Sequence, residues 1–419
     1  MISVMPSKPL PISPAVAQLL RDRRQSLGLT LRRVEELSAE SGDPIPHSTL
    51  ARIELGKFDP GVRRLGQLLD LYQLPIQAAG DVLDIEGLAG ATPIERDPAK
   101  LRDRALDAWR HGRISEALAC FLSFRRRVPN DDAHRAMRHE SILAFAIAAA
   151  SLGRVHLSRH MLDELLMEKP EPPVLVKILI QQSVVWRSLG SPVAALAFVE
   201  SASKYAGQDA PKQHGWIQHQ RAQVLIEQRE FGAAAKCLTL AVQYHRRAKS
   251  PHDEALALLS KSRLSFVQGQ VETALTAARH AEQFAAKHEF NRIRLSAVVE
   301  QARALSAVGS IDAGRKLLRA VLADSMVADD NALCFYAHFY LWQTERDSGN
   351  ICRAAMELRE AGYYLKHVDQ NCPEANVVRQ ELAGGKNDDA SSVGSKRRRT
   401  PSRSRTVEVS RFSRRPRKP

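Results

Sequence analysis

The sequence predicts an all-α protein made of two helical domains and a basic tail. Alanine, leucine, glutamine and arginine dominate, runs of β-branched residues are few, and apolar residues recur at helical spacing. With 419 residues, 44% hydrophobic and 26% charged, the chain is long enough for two or three domains. We divide it into a flexible N-terminus, a first domain, a linker, a second domain and a disordered basic tail: 1–13, 14–88, 89–98, 99–383 and 384–419.

Residues 14–88 predict five helices. The first runs from Pro14 to Leu27, with proline at its first position, Ser13 as its cap and Gly28 as its stop. Thr30 caps the second, and the turn SGDPIP separates it from a third over about His47 to Leu55. Apolar residues mark a fourth and a fifth helix: Leu65, Leu68, Leu69 and Leu71, then Val82, Leu83 and Ile85.

Three signals in this domain resemble the Cro/repressor helix-turn-helix family, also called XRE. They are Arg24 in helix one, Leu29-Thr30 at the start of helix two, and STLARIELG from Ser48 to Gly56. The turn is longer than the family's, which leaves the start of the third helix open by a residue or two. The resemblance implies that this helix enters the DNA major groove.

The resemblance also assigns roles to single residues. Glu54 corresponds to the family's buried glutamate and is expected to pair with Arg24. Three residues are expected to read base edges (His47, Ser48 and Arg52), and two to lie near phosphates (Thr49 and Lys57). The alternatives are a small helical bundle or a helix-turn-helix reused for protein contact. Because the domain is close to neutral, DNA affinity would need dimeric binding to two half-sites, or help from the tail.

The second domain carries an internal repeat of about 40 residues. One position between the two helices of each repeat, which we call the slot, is glycine in six repeats: Gly112, Gly153, Gly190, Gly269, Gly309 and Gly349. In the remaining repeat the slot is Arg229. Small residues recur seven positions before the slot (Ala105, Ala146, Ser183, Ala222, Ser262, Ala302) and five positions after it (Ala117, Ser158, Ala195, Ala234, Ala274, Gly314, Ala354). Small residues at fixed offsets let two helices approach closely.

These offsets resemble the tetratricopeptide repeat, whose usual period is 34. Seven repeats over 99–368 and a capping helix from Pro373 to Leu382 are expected, as an α-solenoid. The longer period implies longer helices or longer connections. The alternative is an irregular helical bundle.

A solenoid of helix pairs has a concave surface suited to a peptide or a partner helix. The position six before each slot is expected to face it, and these positions change from apolar to polar along the chain: Leu106, Ile147, Val184, Gln223, Arg263, Arg303 and Gln343. With neighbouring inward positions, the candidate ligand groove comprises Arg187, His219, Gln223, Arg263, Arg303, Gln343 and Arg346. A free peptide carboxylate suits arginine. The alternative is an ordinary solvated polar face.

The tail and the cysteines bear on location. From Lys386 to Pro419 there are twelve Lys/Arg and three acids, which suggests either non-specific phosphate contact or a solvated tail without function. The five cysteines lack paired spacing, so reduced thiols are expected. No signal peptide and no apolar run of a membrane span is found. We expect a bacterial, nucleoid-associated cytoplasmic protein without membrane contact.

Motifs of catalysis are absent from the sequence, which has no Walker loop, no GxGxxG and no HExxH. His156 and His160 stand four apart, but such a pair without a nearby acid or cysteine is more often a surface feature. We expect no enzymatic activity, no cofactor and no metal.

The favoured function is a transcription regulator that binds a double-stranded DNA operator as a homodimer and senses a peptide or protein ligand through its solenoid. This architecture resembles the peptide-sensing regulators of quorum-sensing bacteria. The alternative is a protein-interaction scaffold in which DNA binding is minor.

Overall fold

The chain forms two sets of helices, as the sequence predicts. The computed structural model describes residues 11–129, 131–327, 330–368 and 372–391, except for the side chains of 325–327 and 384–391. Within those ranges there are twenty α-helices, two short 3-10 turns and no strand. The all-α class is confirmed.

The first five helices form the part of the molecule that we call the head. They are α1 (Pro14–Ser26), α2 (Leu31–Glu40), α3 (His47–Glu54), α4 (Gly61–Leu71) and α5 (Ile76–Leu88). Ser13 caps α1 through its side chain, and Thr30 caps α2 in the same way. Apolar residues from α1, α2 and α3 meet in the core: Leu19, Leu20, Val34, Leu50 and Ile53.

Seven antiparallel helix pairs follow and stack into a solenoid. Their bounds are α6 (Pro98–Arg110) and α7 (Ile114–Arg127), α8 (Arg135–Ser151) and α9 (Val155–Met167), α10 (Pro172–Ser188) and α11 (Pro192–Tyr205), α12 (Pro211–Glu227) and α13 (Phe231–Arg247), α14 (Pro251–Val267) and α15 (Val271–Lys287), α16 (Asn291–Ala307) and α17 (Ile311–Val327), α18 (Asn331–Asp347) and α19 (Ile351–Tyr364). A 3-10 turn (Leu365–His367) and α20 (Pro373–Ser391) close the series.

Longer helices account for the 40-residue period. Every first helix from α8 onward, and every second helix from α13 to α17, is 17 residues long. The turn within each pair stays short. The choice between longer helices and longer connections is therefore settled in favour of the helices.

All seven predicted slots are turns with left-handed backbone. The six glycines have φ between 75° and 84°, and Arg229 has φ 63°. Only glycine adopts this region without a steric penalty, which explains the six glycines. Arg229 occupies it at a cost of about 1–2 kcal/mol.

The small residues on both sides of the slots lie where neighbouring helices touch. The small residues that stand seven positions before each slot are all buried, and so are those that stand five positions after it. At Gly314 the helices approach closely, since an added Cβ would lie 2.5 Å from Ser306 Oγ and 2.9 Å from the Ala302 carbonyl oxygen. In the last pair Trp342, also buried, replaces the small residue.

The C-terminal end differs from the prediction. The helix expected over 373–382 continues to Ser391, so the first residues of the predicted tail are helical. Residues 392–419, and residues 1–10 of the predicted N-terminus, lie outside the described residues. Within the described part of the chain, no helix is both long and apolar enough to cross a membrane.

The head packs on the first two pairs of the solenoid through α5, and α1 adds ion pairs to the same two pairs. Asp22 on α1 forms an ion pair of 2.6 Å with Arg125 on α7. Asp81 on α5 accepts a 3.0 Å hydrogen bond from the backbone N–H of Leu157, in the first turn of α9. The N-terminal N–H groups of a helix lack partners within it, so a carboxylate there is well placed.

Candidate nucleic-acid interface and inner surface

The long turn before α3 is held by side chains rather than left loose. The Ser38 hydroxyl accepts from the backbone N–H of Ile45 at 2.8 Å, and Ile45 is itself buried. Gln67 on α4 donates to the Asp43 carbonyl at 2.8 Å and to the Ser41 hydroxyl at 3.0 Å. These contacts fix the start of α3 at His47.

A buried ion pair sets the orientation of α3 against α1. Arg24 Nε lies 2.7 Å from Glu54 Oε1, and Arg24 Nη2 lies 2.8 Å from Glu54 Oε2. The Tyr72 hydroxyl donates to the same carboxylate at 3.3 Å, and burial raises the pKa of Tyr72. Arg24 also donates to the Leu29 carbonyl at 2.7 Å. The paired, bidentate geometry ties α1, the α1–α2 turn and α3 together.

The three residues expected to read bases lie on the exposed side of α3. His47, Ser48 and Arg52 are all exposed. The Arg52 guanidinium lies 5.2 Å from the centroid of the Phe58 ring, which supports the side chain without using its donors. His47 Nδ1 lies 2.8 Å from a carboxylate oxygen of Glu35 on α2. A base contact by His47 therefore has to compete with Glu35.

The expected phosphate contacts occupy the edges of this surface. Thr49 is half-buried, and Lys57 is exposed just after the left-handed Gly56. Arg32 on α2, which lies outside the family motif, is exposed and makes no ion pair with any described residue. The helix before a recognition helix crosses the DNA backbone. We therefore add Arg32 to the candidate phosphate contacts. The sequence indicates its exposure, because its position on α2 lies beside the apolar face formed by Leu31 and Val34 but is not part of it.

The near-neutral charge of the head hides an uneven distribution. It holds nine Lys/Arg and eleven Asp/Glu, but four of the acids contact the solenoid or the base of α1. Besides Asp22 and Asp81, Asp84 lies 3.2 Å from Arg154, and Glu86 pairs with Arg126 and accepts from Ser13. Glu54 is neutralised by Arg24. The acids that would oppose DNA are thus partly used elsewhere.

The candidate groove residues lie on the first helices of the later pairs, where they form contacts from one pair to the next. His219 Nε2 lies 2.8 Å from Ser260 Oγ, and Gln223 donates to the same oxygen at 2.9 Å. Burial lowers the pKa of His219 to about 4, so its ring is neutral at pH 7. Arg187 pairs with Glu227 at 2.9 Å.

Arg263 and Arg303 share one buried carboxylate. Glu300, only 6% exposed, accepts from Arg263 Nε at 2.7 Å and lies 3.5 Å from Arg303 Nη1. The Arg303 guanidinium also lies 3.9 Å from the centroid of Phe266 and 5.2 Å from that of Tyr340. The two arginines are therefore not free cations, although the Arg263 side chain remains 49% exposed.

The last groove candidates lie at the C-terminal end. The Arg346 guanidinium stacks 4.5 Å from the centroid of Trp342 and lies 3.8 Å from Glu381 on α20. Gln343 is half-buried on α18. The seven candidates thus belong to several separate groups of contacting side chains rather than to one site. The largest group is the Arg263–Glu300–Arg303 cluster.

His160 differs from the sequence-based expectation. It is buried, and its Nε2 lies 3.3 Å from Glu164. This acid is four residues further along α9, whereas the sequence-based expectation assumed that no acid was near the histidine pair. Among the described residues, no group of three or more His, Cys, Asp or Glu side chains is arranged to hold a metal ion.

The head is a helix-turn-helix domain of the Cro/C1 (XRE) type, and it precedes an α-solenoid. Residues 20–78 match the family model described as helix-turn-helix.

Two solved structures match the chain over part of its length. One is PlcR of Bacillus thuringiensis in complex with the peptide PapR7 and DNA, with 15% identity, a TM-score of 0.41, and coverage of 68% of this chain and 99% of that one. The other is the Cut9–Hcn1 hetero-tetramer of the APC/C, with 14% identity, a TM-score of 0.33, and coverage of 87% and 68%. No curated protein matches the chain.

Proposed function

We propose that this protein is a sequence-specific transcription regulator of the bacterial cytoplasm, whose head binds a double-stranded DNA operator through α3. The observation that carries the proposal is the arrangement of His47, Ser48 and Arg52. They are exposed on the first two turns of a helix whose other side is fixed in the core by Leu50 and Glu54. Recognition helices contact base edges with their N-terminal residues.

The proposed regulator acts as a homodimer. A head with nine basic and eleven acidic residues attracts phosphates only weakly, because non-specific affinity grows with the number of phosphates that Lys and Arg neutralise. Two heads on two half-sites combine their binding free energies. Their half-site centres would be about 34–36 Å apart, or a multiple of that distance.

Replacing Arg52 by alanine tests the base-reading role. Operator affinity is expected to fall by about 1–3 kcal/mol per half-site, while affinity for unrelated DNA changes little. The operator is first identified by genomic footprinting of the intact protein, and affinities are then measured by fluorescence anisotropy at moderate salt.

Arg104→Ala is the matched control, because it removes the same charge from a partly exposed ion pair between Arg104 on α6 and Glu116 on α7. It is expected to leave operator affinity nearly unchanged. Equal operator affinity of Arg52→Ala and the wild type would overturn the base-reading role, and so would an equal loss on operator and unrelated DNA.

We further propose that the inner surface binds an extended peptide or protein segment whose free carboxylate meets Arg263. This side chain donates to Glu300 through Nε, and its Nη groups have no hydrogen-bond acceptor among the described residues. A guanidinium that is half exposed and fixed at one end is suited to a bidentate carboxylate. His219, Gln223 and Ser260 on the adjacent helices supply donors and acceptors for a peptide backbone.

A double variant, Arg263→Ala with Glu300→Gln, tests the groove. Removing the arginine alone would leave a buried carboxylate short of a partner, which is strongly destabilising for reasons unrelated to ligand binding. The double variant is expected to keep operator affinity in vitro but to lose signal-dependent regulation of an operator-driven reporter in cells. Arg294→Ala, in a partly exposed pair with Asp324, is the control. Unchanged regulation in the double variant would exclude the groove at these positions.

A further inference from the structure

Three distant parts of the chain meet at Arg154, the residue before α9. Arg154 is buried, and its Nη2 lies 3.2 Å from Asp84 on α5, the last helix of the head. Its Nη1 donates to the backbone carbonyl of Lys366, in the 3-10 turn after α19. One guanidinium therefore joins the head, the second helix pair and the end of the seventh pair.

The head side of this junction is fixed to α9 at a second point. Asp81, one turn before Asp84 on α5, accepts from the N–H of Leu157 at 3.0 Å. The orientation of α5 is thus set by the first turn of α9 and by Arg154. Because α5 packs against α1, the same contacts bear on the position of the whole head.

The end of the solenoid also returns to its beginning at another place. The Arg292 guanidinium, in the first turn of α16, lies 5.2 Å from the centroid of Trp109 on α6 and pairs with Asp330 at 2.8 Å. The turn at Gly112 lies against Arg292, with an added Cβ 3.8 Å from the Arg292 Cβ. The superhelix therefore closes on itself, and a change in its pitch has to displace both contacts.

The Arg154 junction is not fully satisfied. Arg154 Nε is buried without a hydrogen-bond acceptor among the described residues, and Nη2 reaches Asp84 only as an ion pair. His367 lies beside it, and burial together with the charge of Arg154 lowers the pKa of His367 to about 4, so its ring is neutral at pH 7. Because the unused buried donors carry a desolvation cost, the free energy needed to open this junction is lower than for a fully hydrogen-bonded guanidinium.

We infer that Arg154 is a positioning residue through which closure of the solenoid fixes the orientation of the DNA-binding head. In the closed state it holds α5 and the end of the seventh pair together. A ligand that changes the superhelical pitch pulls the Lys366 carbonyl away from Arg154 and loosens α5. The inference rests on the proposed function as a DNA-binding regulator.

Hydrogen exchange on the full chain tests the junction without DNA. In Arg154→Gln the amides of α5, of the first turn of α9 and of the turn at 365–367 are expected to exchange about tenfold faster, as for the loss of one buried charged contact. Asp84→Asn is expected to affect α5 but not 365–367. Trp109→Leu leaves a smaller apolar side chain and removes the ring beneath Arg292, and it is expected to speed exchange in α5, although the ring contacts of Trp109 are with Phe121 and Arg292. Unchanged α5 exchange in Trp109→Leu would overturn the coupling.

Operator binding separates this inference from the proposed function. In Arg154→Gln the affinity for a single half-site is expected to stay within about twofold of the wild type, whereas affinity for the complete operator falls about tenfold, because the two heads are no longer held in register. Equal affinities of the variant and the wild type for the complete operator would contradict the inference. If the wild type has no operator, the proposed function fails, and the exchange data alone decide whether the junction couples the two ends.

Discussion

Replacing Glu54 by alanine is expected to lower the free energy of unfolding of the head by about 3–5 kcal/mol, because it leaves Arg24 buried and unpaired. Arg24 uses Nε and Nη2 for this carboxylate, and the Tyr72 hydroxyl loses its acceptor as well. Chemical denaturation followed by hydrogen exchange in α1 and α3 measures the loss. Operator binding is expected to fall with it, since α3 loses its fixed orientation.

Glu36→Ala gives the matched control for Glu54→Ala. Arg33 and Glu36 are also 2.8 Å apart, but both side chains are at least half exposed. Exposed pairs contribute about 0–1 kcal/mol, so this variant is expected to unfold nearly as the wild type does. If the two variants lost similar amounts of unfolding free energy, the Arg24–Glu54 pair would stabilise the head no more than an exposed ion pair does.

Replacing Arg125 by alanine is expected to weaken the packing of the head on the solenoid by about 3–5 kcal/mol at neutral pH. The Arg125 side chain is 8% exposed and forms the ion pair with Asp22, whose other near partner is Gln18 at 2.5 Å. Burial raises the pKa of the Asp22 carboxyl, while the charge of Arg125 lowers it. Without Arg125, the ionised and half-buried Asp22 would lie near Glu164 without its ion-pair partner.

The sign of the pH dependence follows from this raised pKa. A buried carboxylate without its cation binds a proton more readily in the folded than in the unfolded state, so acidification stabilises the folded variant relative to its unfolded chain. The difference in unfolding free energy between Arg125→Ala and the wild type is therefore expected to narrow as the pH falls from 7 towards 5.

Arg126→Ala is the neighbouring control for Arg125→Ala. Its side chain is 34% exposed and its pair with Glu86 is 3.4 Å long, so a loss below about 1 kcal/mol is expected at either pH. A pH-independent loss in Arg125→Ala would show that lost packing against Phe145, rather than the stranded Asp22, causes the effect.

Sequence periodicity predicted the structural features that are set by contacts between neighbouring helices. The left-handed turn at Arg229 was located by repeat register alone, although no glycine stands there. The third helix was expected from about His47, with its start open by a residue or two because of the long turn, and α3 begins at His47. Such features are local: each needs only the contacts between adjacent helices, which recur in the sequence.

Features that depend on the whole superhelix could not be predicted in this way. Arg263 and Arg303 were chosen as inward cations, but Glu300 lies between them, three residues before Arg303 on the same helix. That acid was visible in the sequence, whereas its burial was not. The junction at Arg154 depends on superhelical pitch, which is the sum of many small rotations and leaves no repeating sequence signal.

The contact between Arg154 and Lys366 spans 212 residues, which has a consequence for how the protein is made. An open solenoid can nucleate anywhere and grow one repeat at a time, and its terminal repeats fray. Here the second pair gains its last partner only when the seventh pair has emerged from the ribosome. In a nascent chain the head would thus be folded before Arg154 can contact Lys366. The formation of this long-range contact would be the slow final step of folding.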